Sequence, residues 1–133
     1  MKIRIQDNSV RFRITLKELD ELNANGSIEG RSTSILSSAA AGGTLVYGVR
    51  AVPSATASEC QVTSAGIWLE LCPSDLETLN DAAQEGVYLR REHNGERFMA
   101  FIEKDRPGGK CDKPEAWVYE YAPGQAPSTK PIG

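Results

Sequence analysis

Basic and apolar side chains alternate at the start of the chain, in a spacing that could bind an anion. The stretches 2–6 and 9–14 both alternate, and Asp7-Asn8 between them favours a two-residue turn and a β-hairpin. Counting across that turn places Arg4 opposite Arg11 on one sheet face. Like charges in that position repel, so an acid should lie close to them. We call the basic set the charge ladder; it consists of Lys2, Arg4, Arg11 and Arg13.

Two sources could supply the acid that the charge ladder needs. The first is the chain itself, with Glu103 as first choice because it begins the run Glu103-Lys104-Asp105 on a predicted strand. Further internal candidates are Glu29, Asp105, Asp112, Glu115 and Glu120. The second source is a small anionic ligand or an acidic protein partner. The internal source is the simpler hypothesis. Exposed faces of sheets commonly carry charged residues, so a charge ladder does not by itself call for a ligand.

Aromatic side chains give a second candidate for partner binding. Trp68 has the opposite strand parity to Ile67 and Leu69, which predicts that it points away from the core. Three further aromatics share one parity in a predicted strand at 116–121: Trp117, Tyr119 and Tyr121. An exposed aromatic stripe is typical of an interaction surface, although it is more often the side that packs on the sheet. A second subunit could also cover Trp68, so a homodimer stays open.

Two cysteines are candidates for thiol chemistry in a small enzyme or a redox sensor. Cys72 lies at the start of a predicted helix, where the helix dipole favours a thiolate, and Cys111 lies in a glycine-rich segment predicted to be exposed. No second cysteine follows Cys72 at two or three residues, so a small residue at a strand–helix junction is the simpler interpretation. Cys60 has the inward parity of Val62, which predicts that it lies in the core and faces away from Cys72.

Composition and motifs argue against several classes of function. The single histidine, His93, precedes a hairpin turn, so neither a histidine metal site nor a Ser-His-Asp triad is expected. The segment 107–110 lacks phosphate-loop spacing, and no cofactor is predicted. The net charge of −3 gives no reason to expect a nucleic-acid partner. The sequence shows no apolar run of the ~18 residues that a membrane span needs. Three cysteines without an export signal predict reduced, unpaired thiols in the cytoplasm.

The elements that would position these residues can be predicted from local patterns. Thr15 to Glu18 has the pattern of a helix capping box, and Ser74 to Glu77 repeats it. The predicted helices span 16–23 and 74–85, and the predicted strands span 2–6, 9–14, 27–36, 44–52, 61–63, 66–71, 87–93 and 96–103. The apolar residues of the first hairpin predicted to face the core are Ile3, Ile5, Val10, Phe12 and Ile14.

A shift of 57 residues aligns the first half of the chain with the second without gaps. It places Phe12 on Leu69, Leu22 on Leu79 and Asn23 on Asn80. The alignment predicts two hairpin–helix–hairpin units, about 1–52 and 59–104, in one α+β domain over 1–122. The expected architecture is an antiparallel sheet or half-barrel of about eight strands with two helices, followed by a disordered tail at 123–133.

The same hairpin resembles a known family. The chain opens with Met1-Lys2-Ile3-Arg4-Ile5 and continues with Asn8-Ser9-Val10-Arg11-Phe12-Arg13-Ile14-Thr15. Together with the later Glu103-Lys104-Asp105 and Cys111, these residues are similar to a family of short bacterial proteins of unknown function. The resemblance implies a bacterial cytoplasmic protein and assigns no activity to it.

The residues favour a non-enzymatic binding or interaction module over an enzyme. The candidate anion- or partner-binding residues are Lys2, Arg4, Arg11, Arg13, Trp68 and Glu103. The expected partner is a protein or a small anionic ligand. The alternative is a small enzyme or a thiol-based redox sensor that uses Cys72 or Cys111.

Overall fold

The structure is a computed structural model, and it describes residues 1–33 and 43–105. Cys111, the predicted strand at 116–121 and the predicted tail at 123–133 lie outside these residues.

Eight strands and two helices form the described part of the chain, as an α+β protein was predicted to do. In chain order they are β1 (Lys2–Gln6), β2 (Ser9–Ile14), α1 (Leu16–Asn25), β3 (Ser27–Thr33), β4 (Thr44–Ala51), β5 (Glu59–Thr63), β6 (Gly66–Leu71), α2 (Pro73–Asn80), β7 (Gly86–His93) and β8 (Glu96–Lys104). The turn of the first hairpin contains Asp7 at φ 47°, and that of the last contains Asn94 and Gly95 at φ 50° and 78°. These left-handed residues match the turn chemistry that predicted both hairpins.

The strands form two mixed sheets rather than one antiparallel sheet. The first sheet has the order β1-β2-β8-β7 and the second β3-β4-β6-β5. Four of the six pairings are antiparallel, so the predicted antiparallel character mostly holds. The two central pairings, β2 with β8 and β4 with β6, are parallel. Each sheet therefore takes one hairpin from each half of the chain.

One apolar core lies between these elements. It joins buried residues from both sheets and both helices: Val10, Phe12, Ile14, Leu19, Leu22, Ile28, Val49, Ile67, Leu69, Leu71, Leu79, Val87, Ala100 and Ile102. The prediction that Ile5 faces the core is wrong, because its side chain is 55% exposed, as is that of Val62 at 58%. Both residues lie in edge strands close to the hairpin turn, where only one neighbouring strand covers them.

The two halves show the same order of elements and closely matching local burial. β1 and β5 share one pattern of exposure along the strand, and β2 and β6 share another. The helices meet at Asn23 and Asn80, which are 57 residues apart. Each amide donates to the other, with N···O distances of 2.7 and 3.0 Å. This reciprocal contact joins two residues that the shift of 57 aligns with each other.

The second helix departs from its prediction at both ends. Its N-cap is Cys72 rather than Ser74, with Pro73 in the first turn and no side-chain hydrogen bond that caps the helix. It ends at Asn80, because the side chain of Asp81 accepts a hydrogen bond from the amide of Ala83 at 2.9 Å and starts a turn. The first helix has the predicted capping box at Thr15 and ends at a left-handed Gly26.

Candidate functional site

The charge ladder has the predicted register, and two of its arginines have acids beside them. Arg4 lies opposite Arg11, and Lys2 lies opposite Arg13. The guanidinium Nε of Arg11 is 3.4 Å from Oε1 of Glu103, and that of Arg13 is 3.4 Å from Oδ1 of Asp105. Neither Arg4 nor Lys2 has an ion pair with any residue in 1–33 or 43–105. The acid beside Arg11 is thus the internal one that the sequence analysis preferred.

Glu103 lies in a tightly packed environment on the outer face of the first sheet. Its side chain is fully buried, and the hydroxyl of Tyr88 donates to its Oε2 at 3.1 Å. The guanidinium of Arg11 also stacks over the ring of Phe101 at 5.5 Å from the centroid. Phe101 packs with Met99 and Tyr88. These contacts make Glu103 part of a packed cluster rather than of an open site.

Trp68 lies apart from the charge ladder, in the second sheet. Its ring lies over Gly48, where an added Cβ would come within 2.4 Å of the ring. The guanidinium of Arg50 stacks over the ring of Trp68 at 4.1 Å from its centroid, and Arg50 pairs with Glu70 at 3.4 Å. The six predicted site residues therefore do not converge: five belong to the first sheet and Trp68 to the second.

A pocket of about 690 Å³ lies where the β7–β8 hairpin faces β5 and the start of α2, and Asn8 from the β1–β2 turn also lines it. Its apolar part consists of Cys60, Leu89, Phe98 and Ala100. Its polar part includes Ser58, Cys72, Ser74, Asp75, Glu59, Arg90, Arg91, His93, Glu96 and Arg97. Sequence reasoning singled out Cys72 but missed the pocket, because its walls come from four segments that no local pattern connects: Asn8, the segment around Ser58, the start of α2 and the β7–β8 hairpin.

Several residues that line the pocket are shorter than the residues 57 positions earlier in the chain. Three wall residues, each 57 positions after a residue of the first half, are smaller than their counterparts. They are Ser58 for Met1, Cys60 for Ile3 and Asp75 for Glu18. Met1 and Ile3 both pack against the core. The pocket therefore lies where the second half replaces core-packing residues by shorter, more polar ones.

The same replacements change how the helix start is held. In the first half the amide of Thr15 donates directly to Oε1 of Glu18 at 3.0 Å. In the second half the amide of Cys72 donates to the hydroxyl of Ser58 at 2.9 Å, and that hydroxyl donates to Oδ2 of Asp75 at 2.5 Å. Ser58 thus bridges the gap that the shorter carboxylate leaves.

The Cys72 thiol is held within this network. Hydrogen bonds from Ser58 and Ser74 lower the pKa of Cys72, and the Asp75 side chain opposes them. Ser58 has one hydroxyl proton, however, and its oxygen is 2.5 Å from the Asp75 carboxylate but 3.3 Å from the sulfur of Cys72. The carboxylate is the stronger acceptor and takes that proton. The thiol itself donates to the same Asp75 oxygen at 3.3 Å, which favours the neutral thiol.

We expect Asp75→Asn to lower the pKa of Cys72 further and to speed its alkylation at pH 7. The substitution removes the nearby negative charge and frees the Ser58 proton for the sulfur. Each unit of pKa corresponds to about a tenfold change in the thiolate fraction. The measurement is a pH profile of iodoacetamide labelling in a Cys60→Ser, Cys111→Ser background. Glu77→Gln, on an exposed position of the same helix, is the control; equal profiles for both variants would contradict the expectation.

Cys60 and Cys72 are free thiols and line the same pocket. The prediction that they face different sides is wrong, because Cys72 is the helix N-cap and strand parity does not apply to it. Burial raises the pKa of Cys60 to about 11. Cys60 lies opposite Leu69, three residues before Cys72, which is about 10 Å along the strand. That spacing is too long for a disulfide between them.

The arginines of the β7–β8 hairpin differ in the hydrogen bonds and ion pairs that their guanidinium groups make. Arg90 and Arg97 both donate to Oε1 of Glu92, at 2.5 and 3.0 Å, and they lower the pKa of Glu92. Arg91 has one ion pair, with Glu59 of β5 at 3.6 Å. No group of three His, Cys, Asp or Glu residues in the described part of the chain could hold a metal ion.

These features define a class: an α+β protein with two mixed four-stranded sheets and a pocket between an edge strand, a helix start and a hairpin. The chain belongs to a family of unknown function, DUF7009, whose model matches residues 1–111. This confirms the resemblance to an uncharacterised family. No curated protein and no solved structure matches the chain. Neither α1 nor α2, the helices of the described residues, is long and apolar enough to cross a membrane.

Proposed function

We propose that the protein is a non-enzymatic binding module that holds a small organic ligand in the pocket between β5, α2 and the β7–β8 hairpin. The observation that carries the proposal is the pocket itself, with a volume of about 690 Å³, an apolar part and a polar rim. This size and lining are typical of sites for small molecules. The charge ladder is a weaker candidate for the ligand site, because Arg11 and Arg13 have internal acids beside them.

The thiol-enzyme alternative has weaker support. A nucleophilic or redox-active cysteine reacts as the thiolate. Ser58 and Ser74 lower the pKa of Cys72, but Asp75 accepts the thiol hydrogen and opposes them. Cys111 lies outside the described residues.

We also propose that the two halves derive from a duplicated hairpin–helix–hairpin unit in a bacterial cytoplasmic protein. The matching exposure patterns of β1 and β5, and of β2 and β6, support the duplication. In this view the first half kept its larger core-packing residues, while the second half gained the pocket through Ser58, Cys60 and Asp75.

The proposal predicts saturable, one-to-one binding of a neutral solvatochromic dye such as Prodan, with a blue shift of its emission. Cys60→Trp should abolish the binding, because the indole would fill the pocket from the β5 wall. Val62→Trp is the matched control, since Val62 lies two residues further on the same strand and is 58% exposed. Fluorescence titration measures both variants, and thermal unfolding verifies that they fold.

A second blocking variant protects the test against misfolding of the first. Ser74→Trp fills the pocket from the helix wall, and Glu77→Trp on the exposed side of the same helix is its control. No saturable dye binding to the wild type, or equal binding to blocking and control variants, would overturn the proposal.

A further inference from the structure

We infer that the ligand of this pocket carries a carboxylate or phosphate group and that Arg91 binds it; the inference rests on the proposed binding function. Three arginines line the pocket, Arg90, Arg91 and Arg97, and they differ in their hydrogen bonds.

Arg91 is the arginine of the pocket whose guanidinium makes no hydrogen bond with a described residue. Within the described residues its one ion pair, to Glu59, has an N···O distance of 3.6 Å. That distance exceeds a hydrogen bond, so the five N–H donors of the guanidinium lack a described acceptor. Arg90 and Arg97 each donate one hydrogen bond to the carboxylate of Glu92, at 3.0 Å or less, and alternation along β7 places Arg90 on the opposite face from Leu89 and Arg91.

Strand parity places Arg91 next to the apolar part of the pocket. Leu89, Arg91 and His93 alternate along β7, so their side chains leave the same face of the strand. Leu89 packs against the core and lines the pocket together with Phe98. A ligand whose apolar body lies on Leu89 and Phe98 would therefore have its far end beside the Arg91 guanidinium, close to the solvent.

The carboxylates of the pocket give less support to a cationic ligand. Asp75 already accepts from Ser58 and from the Cys72 thiol. Glu59 accepts from the side-chain amide of Gln61 at 3.1 Å and pairs with Arg91. Glu96 lies opposite His93 at the exposed end of the hairpin, next to its turn. A planar guanidinium, by contrast, can bind a carboxylate or phosphate through two parallel hydrogen bonds.

Little free energy is lost when a ligand anion replaces Glu59 as the partner of Arg91. The side chains of Arg91 and Glu59 are 62% and 47% exposed, and exposed pairs of this kind contribute little to stability. Glu59 then acts as an internal competitor for Arg91. Its removal should tighten the binding of an acidic ligand, and removal of Arg91 should weaken it.

The test compares octanoate, octyl phosphate and 1-octanol as competitors of bound Prodan, using the full chain. We expect at least one of the two anions to bind wild type at least tenfold more tightly than octanol. Arg91→Gln should remove this preference and leave the affinity for octanol unchanged. Glu59→Gln should increase the preference for the anion. Arg31→Gln is the matched control, because Arg31 is 65% exposed and pairs with Glu29 in a strand outside the pocket.

The outcomes separate the two proposals. If octanol competes as well as both anions do, or if Arg91→Gln keeps the preference for the anion, the assignment of Arg91 is overturned while the binding module stands. If Prodan shows no saturable binding to any variant, the proposed function fails and the inference fails with it. A preference for octyl phosphate over octanoate would identify phosphate as the acidic group, and the reverse would identify carboxylate.

Discussion

Glu103→Gln should lower the free energy of unfolding by about 3 kcal/mol, measured by urea denaturation. Glu103 is fully buried, and the side chain of Arg11 beside it is only 18% exposed. Loss of one partner of a buried ion pair leaves the other charge in a poorly hydrated position, which typically costs about 3–5 kcal/mol. The lower end of that range applies here, because the Arg11 guanidinium keeps some contact with water and also stacks on Phe101.

A double-mutant cycle tests whether the cost comes from the pair. Arg11→Gln in the Glu103→Gln background should cost much less than Arg11→Gln in wild type, since the charge it removes is already unpaired. The control is Glu29→Gln, whose carboxylate pairs with Arg31 at 2.8 Å but on an exposed face. Exposed pairs contribute about 0–1 kcal/mol. Equal losses for Glu103→Gln and Glu29→Gln would show that burial does not raise the cost.

The features that could be predicted from sequence have local causes. Asn94-Gly95 predicted a hairpin because both residues tolerate positive φ, and the structure has them at 50° and 78°. The capping box at Thr15 predicted the first helix because its hydrogen bonds join residues three positions apart. Counting across the Asp7-Asn8 turn predicted the register of Arg4 with Arg11, because the two residues are only seven positions apart in the chain.

The parallel pairings could not be predicted, because their partners are distant in the chain. Val10 lies opposite Ala100, and Tyr47 lies opposite Ile67. The chain passes from β2 in the first sheet through α1 to β3 in the second. A hairpin pattern fixes the neighbour across its own turn but says nothing about the neighbour on its other side. In place of the expected single antiparallel sheet, the structure has two mixed sheets.

The pocket was missed for a related reason, and one signal could have pointed to it. Its walls come from Asn8, the segment around Ser58, the start of α2 and the β7–β8 hairpin, which meet only in the folded chain. The gapless alignment of the halves already placed Asp75 on Glu18 and Cys60 on Ile3. Shorter residues at aligned positions of the two halves predict missing volume, although they do not say whether neighbours fill it.

Gly66→Ala should cost about 3 kcal/mol or more, again in urea denaturation, because two effects act together. Gly66 has φ +141°, a conformation that residues with a Cβ rarely adopt and that costs about 1–3 kcal/mol for them. An added Cβ would also lie 2.3 Å from the carbonyl oxygen of Val46 in the neighbouring strand. A backbone atom cannot move aside as a side chain does, so β4 and β6 would have to separate beside their parallel pairing, which begins at Ile67. Such overpacking typically costs about 1–3 kcal/mol.

Gly95→Ala separates the two effects, because it has the conformational cost without the collision. Gly95 has φ +78° in the turn of the β7–β8 hairpin, and an added Cβ there would meet no atom within 4 Å. Its substitution should cost only about 1–2 kcal/mol, the usual penalty of a left-handed residue with a side chain. The excess loss in Gly66→Ala then measures how rigidly the parallel pair β4–β6 is held. Similar losses for both variants would mean that the end of this pair opens easily, and that the second sheet depends on its inner residues, Val49 and Leu69, for its pairing.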